Sequence, residues 1–152
     1  DIKFYENLGS IYDKTQRIRK ISGMLADNLN LNKEKAEIAA SISKSDLCSD
    51  LVNEYPDLQG LMGKYFAKSQ GFEDDVSNAV SDHYLPTGTN SLTSRKPISY
   101  TVAIADKIDT LVGFFMINEK PSSSKDPFAL RRSAIGLLKT IIDNKINLKL
   151  RT

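Results

Sequence analysis

The sequence predicts an all-α fold, and three observations predict it. Apolar residues recur three and four positions apart through most of the chain. Residues suited to starting helices, Asn32, Asp57 and Asp126, precede several of those stripes. No stretch alternates apolar and polar residues for long, and only Ile146–Leu150 offers a short candidate strand. The expected arrangement is about six to seven helices around a central apolar helix near 98–117. That central run contains ADKIDTL, Ala105 to Leu111, with Asp106 and Asp109 three apart and so on one helix face. A carboxylate in an apolar helix is costly unless something pairs with it. The helix therefore either holds a polar site at the centre of the domain or caps its neighbours with charge.

In chain order, Gly9-Ser10 breaks the chain before a first helix whose stripe is Ile11, Thr15, Ile18, Ser22, Leu25 and Leu29. Asn28 to Asn32 reads as a turn, and Asn32 as the N-cap of a helix rich in small residues, Ala36, Ala39 and Ala40. Leu47, Leu51 and Val52 extend that helix or begin another, which Pro56 ends. Asp57 is placed to cap the next helix, with Leu58, Leu61, Met62, Tyr65 and Phe66 as its apolar side. Gly60 and Gly63 interrupt that helix at roughly 1 kcal/mol each, a cost that implies close packing or the approach of another group. Gly71 ends it, and Asp74-Asp75 start a shorter helix running to His83-Tyr84. Pro86 to Pro97 is a polar loop. After Ile117 a polar linker leads to Asp126-Pro127, read as N-cap and first helical position of a last helix lined by Leu130, Ala134, Leu137, Leu138, Ile141 and Ile142.

A length of 152 residues, with 40% apolar and 26% charged, fits one soluble domain, or one domain and the start of another. Asp1 in place of Met, with no leader-like segment, reads as an internal piece of a longer protein. The lone Cys48 excludes an internal disulfide and suits a reducing compartment, its ordinary role being that of a buried small hydrophobe. The net charge of +2 hides an asymmetry: residues 120–152 sum to about +6 and residues 1–119 to about −4. A basic end of this kind fits a polyanion or an ordinary solvated helix face.

Several chemistries are excluded. Ser122-Ser123-Ser124-Lys125 lacks the glycines and the preceding strand of a phosphate loop. One Cys and one His cannot make a zinc site of the usual spacing. No serine stands in a nucleophile motif with His83. Carboxylates and one histidine remain.

Their order resembles the HD superfamily of helical metal phosphohydrolases. Asp13, in YDKTQRI, stands where that superfamily places its first histidine, and Ser45-Asp46 where it places its His-Asp pair. His83, in DHYLP, matches a further histidine and Asp106 the final aspartate. Two imidazoles that such metals prefer are missing, and a serine hydroxyl is a poor replacement. On this resemblance Asp13, Ser45, Asp46, His83 and Asp106 are positions of a degenerate site that holds no metal. A metal-dependent phosphohydrolase is the alternative reading.

A second resemblance is more specific. DLVNEYPDLQGLMGKYFAKSQG, DHYLP, ADKIDTLVGFF and SSSKDPFALRRSAIGLL are similar to the beta subunits of bacterial tetrameric glycyl-tRNA synthetases. LGSIYDKTQRI fits too, so the likeness spans nearly the whole chain. It implies a fragment with an HD-like helical domain at 1–120, and at 121–152 a helix and the start of a connection toward an anticodon-binding domain. It also implies a cytoplasmic α2β2 ligase that makes glycyl-tRNA, with tRNA(Gly) and an alpha subunit as partners. That holoenzyme uses ATP and Mg2+, while this piece has no catalytic residues or cofactor of its own.

The residues add a reading of their own. Phosphate contacts need Lys and Arg, and a helix N-terminus adds free N–H donors. Lys125, Arg131 and Arg132 around the last helix start are candidates for RNA contact; pairing of Arg131 or Arg132 with Asp106 or Asp109 is the competing role.

Overall fold

The computed structural model describes residues 2–148, and the fold is all-α apart from one small hairpin. Strands β1 (Lys3–Tyr5) and β2 (Gly9–Ser10) pair antiparallel. Helices follow as α1 (Ile11–Asn28), α2 (Lys33–Ile42), α3 (Asp50–Glu54), α4 (Leu61–Ser69), α5 (Asp74–Asp82), α6 (Pro97–Met116) and α7 (Leu130–Asp143). Single 3-10 turns at Ser45–Cys48 and Pro56–Leu58 flank α3.

Local chemistry explains most boundaries. Ser10 and Asp13 form a reciprocal capping box at the start of α1. Asn32 caps α2 by accepting from the Lys35 N–H. Pro97 stands in the first turn of α6, where its missing N–H costs nothing. Helix α6 is the hub: α1, α2, α5 and α7 all pack on it. Val102, Ala103, Ile104 and Ala105 of α6 are fully buried, with Ile18 and Ala26 of α1, Ala36, Ala39 and Ala40 of α2, and Ala79 and Val80 of α5. The alanines let backbones approach closely, as the small-residue composition of α2 implied. Leu137 and Ile141 bring α7 onto the same core.

Four sequence expectations are corrected. The segment before α1 is a hairpin, too short for an alternating pattern to show. It is shaped by left-handed Asn7 and Gly9. Ile146 to Leu148 are not a strand, and residues 149 and 150 lie outside the described residues. Asp57 does not cap α4: it sits in a 3-10 turn, and the first N–H groups of α4 are met by Asp46 instead. Helix α7 starts at Leu130 rather than Pro127. Asp126 still caps it, accepting from the N–H groups of Leu130 and Arg131, but across a turn with Ala129 left-handed. That turn lets the Phe128 ring stack on Phe114 at 4.4 Å and meet Tyr5 edge-on at 5.1 Å. The aromatic contact sets the entry to α7 in place of a straight helical start.

Candidate functional site: a lysine-filled carboxylate–histidine centre

Two short ladders of charge face each other where α1 crosses α6. Lys14 and Arg17, three apart on α1, meet Asp106 and Asp109, three apart on α6. Arg17 Nε donates to Asp109 Oδ1 at 2.6 Å, and Lys14 Nζ donates to Asp109 Oδ2 at 3.0 Å. Lys14 Nζ also lies 3.3 Å from Asp106 Oδ1, at ion-pair distance. The partners of both aspartates thus come from α1 and the segment after α2, and not from Arg131 or Arg132 of α7, whose pairing with them was the competing role for those arginines.

The other oxygen of Asp106 is taken by Lys44. Its Nζ donates to Asp106 Oδ2 at 2.9 Å and lies 2.9 Å from His83 Nε2. It also lies 4.2 Å above the centre of the Tyr84 ring. His83 is fully buried, and its Nδ1 is 2.7 Å from the Val80 carbonyl. A carbonyl only accepts and an ammonium only donates, so the imidazole is neutral with its proton on Nδ1. Burial, then the Lys44 charge, push His83 down to about 3. For Asp106, burial opposes the charged form, but Lys44 and Lys14 outweigh it and hold the carboxyl well below the usual range. For Lys44, burial opposes the ammonium, and Asp106 more than restores it. The outcome is an ammonium bound by one imidazole nitrogen, one carboxylate and one aromatic face.

Of the five positions read as a degenerate metal site, the structure brings together two, His83 and Asp106, whose Nε2 and Oδ2 are 3.9 Å apart. Asp13 is exposed and spent on the capping box with Ser10, whose N–H holds its carboxyl below the ordinary value. Ser45 is exposed, and its hydroxyl donates to the Ile42 carbonyl. Asp46 is buried but turned to α4, accepting from Gly60 N at 2.6 Å and Gly63 N at 3.1 Å. One step along a helix turns a residue by about 100° round the axis, enough to exchange an exposed position for a buried one. So Lys14 reaches the centre where Asp13 was expected, and Lys44 where Ser45 was. These residues do not fit a metal. A divalent ion needs the carboxylate and imidazole lone pairs that Lys44 already occupies, and no cluster of three or more metal-ligating side chains exists among the described residues.

The sequence reading missed Lys14, Lys44 and Tyr84. A lysine beside a run of small residues, as in SISKSD, was the available signal for Lys44. Lys125, Arg131 and Arg132 are exposed, with the Arg131 guanidinium donating to the Ser122 carbonyl.

The chain matches the profile of the glycyl-tRNA synthetase beta subunit over residues 1–152. It is 42% identical to the glycine–tRNA ligase beta subunit of Rhodospirillum centenum, over 99% of this chain and 21% of that protein. The corresponding protein of Phenylobacterium zucineum is 42% identical over 99% of this chain and 23% of its own length. That of Acinetobacter baumannii is 44% identical over 95% and 21%. The chain belongs to the glycyl-tRNA synthetase beta subunit family. It spans about a fifth of the length of these relatives. The lysine-filled centre is thus a feature of a beta-subunit segment. No described helix is long and apolar enough to cross a membrane.

Proposed function

We propose that the chain is a non-catalytic helical portion of a glycine–tRNA ligase beta subunit, supporting tRNA recognition and subunit architecture for glycyl-tRNA synthesis. The observation that carries the non-catalytic part is Lys44, whose ammonium joins Asp106 to His83 and leaves neither free as a ligand or base. In this reading the aminoacylation chemistry, with its ATP and Mg2+, belongs to the alpha subunit of a cytoplasmic α2β2 enzyme. Residues 121–152 lead from an HD-like domain at 1–120 toward an anticodon-binding domain.

The RNA part rests on Lys125, Arg131 and Arg132, exposed together at the entry to α7 without carboxylate partners among the described ion pairs. Neutralising phosphates makes binding salt-dependent in proportion to the contacts made. Replacing all three by Ala in the full enzyme should weaken tRNA(Gly) binding and flatten its salt dependence, while glycine activation with ATP stays unchanged. Unchanged affinity with an unchanged salt slope would remove the RNA reading.

The metal-dependent phosphohydrolase is the second reading: His83 and Asp106 do meet, but a metal would have to displace Lys44 from between them. It requires stoichiometric metal in the purified protein and phosphatase activity that Asp106→Asn abolishes. Elemental analysis without such metal excludes it.

A further inference from the structure

A pocket of about 280 Å³ opens beside the centre, lined by His83, Tyr84, Asp106, Lys107, Arg132 and Ser133, among others. That is many times the roughly 30 Å³ a water occupies in the liquid, so a tetrahedral oxyanion fits. Its charge is unbalanced. Lys14, Arg17, Lys44 and Lys107 surround Asp106 and Asp109, and Arg132 stands at the mouth. Asp46, the other buried carboxylate nearby, is turned away to α4.

Lys107 is the residue this surplus leaves without an acid. It is only 9% exposed. Its Nζ donates to the Leu85 carbonyl at 2.9 Å and, more weakly, to that of His83 at 3.4 Å. An ammonium has three N–H donors, so one is unused by protein. Thr110, also in the lining, accepts from Lys14 through its hydroxyl oxygen, which leaves its proton to donate. Thr87 and Ser133 add hydroxyls. A buried cation with no carboxylate at ion-pair distance is costly, and an anion in hydrogen-bond reach lowers that cost.

The geometry points to this pocket as a seat for a phosphate group, with Lys107 at its floor, Arg132 at its mouth, and Thr87, Thr110 and Ser133 as hydroxyl donors. Two sources supply that chemistry: the backbone of an RNA, or a free phosphate or phosphate monoester. The seat shares Arg132 with the RNA contact proposed for α7, and inorganic phosphate tests it in the absence of RNA. The competing role for Lys107 is only to cap the carbonyls that end α5.

The test is competitive acylation of Lys107 in the full enzyme, followed by peptide mass spectrometry. The rate is measured with inorganic phosphate, with tRNA, and with chloride at matched ionic strength. The expected result is several-fold slower acylation of Lys107 in phosphate than in chloride, with the protection weakened in Arg132→Ala. Protection by tRNA as well assigns the seat to an RNA phosphate; protection by inorganic phosphate alone assigns it to a free phosphoryl ligand. Equal rates in phosphate and chloride overturn the proposal, even if tRNA protects, since RNA would then merely cover the mouth. A rate in Arg132→Ala that phosphate slows as much as in the parent removes Arg132 from the seat and overturns it as stated.

Discussion

Lys44 is 6% exposed, yet charged, and three different groups replace the water it has lost. Such an arrangement is asymmetric in its energetics. Breaking a buried pair by removing one member costs about 3–5 kcal/mol, whereas removing both members for apolar groups of similar size is often neutral. Lys44→Met should therefore destabilise the chain by about 3 kcal/mol in urea denaturation, and Lys44→Met with Asp106→Leu should recover most of that loss. Strictly additive losses would mean that the two side chains do not act as a pair. The same centre predicts a pH dependence. His83 titrates at about 3 when folded against an ordinary 6.5. The unfolded chain then binds the proton first, so stability is full above about 6.5 and falls as pH drops toward about 3. Asp106, also depressed, adds a loss of the same sign at the acid end. In His83→Gln the upper part of that decline should flatten; a profile unchanged from the parent would place the proton elsewhere.

At the scale of elements, α4 and α5 meet through an absent side chain. A Cβ on Gly63 would lie 2.6 Å from Cγ1 of fully buried Val80 and 3.1 Å from the Asp46 carboxyl. Alanine gains about 1 kcal/mol of helix propensity over glycine, but overpacking a close contact costs about 1–3 kcal/mol. The steric cost wins, and Gly63→Ala should lower the urea midpoint; a raised midpoint would show that Val80 yields freely. This junction also shows what a sequence can and cannot reveal about elements. Gly63 announced a close approach, because a glycine inside a helix must have a reason; Gly60, expected in the same helix, instead precedes α4 with a left-handed φ of 84°. The approaching groups, the carboxylate of Asp46 and the ring of Tyr84, come from distant segments and have no local signature. Helices α1, α2 and α6 were legible because their stripes and caps are local. The starts of α4 and α7 were misplaced because a tertiary carboxylate and a tertiary aromatic stack fixed them.

For the molecule as a whole, the all-α architecture around one apolar helix follows from periodicity alone. The pair His83 and Asp106 was legible through a resemblance. The lysines between them were not, because a solvated lysine and a buried one look the same in sequence. What distinguishes them is which carboxylate the fold delivers. Two aspartates in the most apolar helix therefore demanded cations, and the chain supplied Lys14, Arg17 and Lys44 from two other segments.

The aromatic group of Tyr5, Phe114 and Phe128 bears on the order in which the chain assembles. The contacts between α1 and α2 and between α4 and α5 join neighbours in sequence, whereas these rings bring Tyr5, near the start of the chain, against Phe114 and Phe128, more than 100 residues later. Closing so large a loop is entropically expensive and is deferred until other contacts reward it. The rings should then be absent from the folding transition state. Phe128→Ala should speed unfolding in a stopped-flow chevron while leaving the folding rate nearly unchanged. A slowed folding arm would instead place the ring cluster in the nucleus. The stack acts as a late clasp, holding the entry to α7 against the hairpin once the helical body has formed.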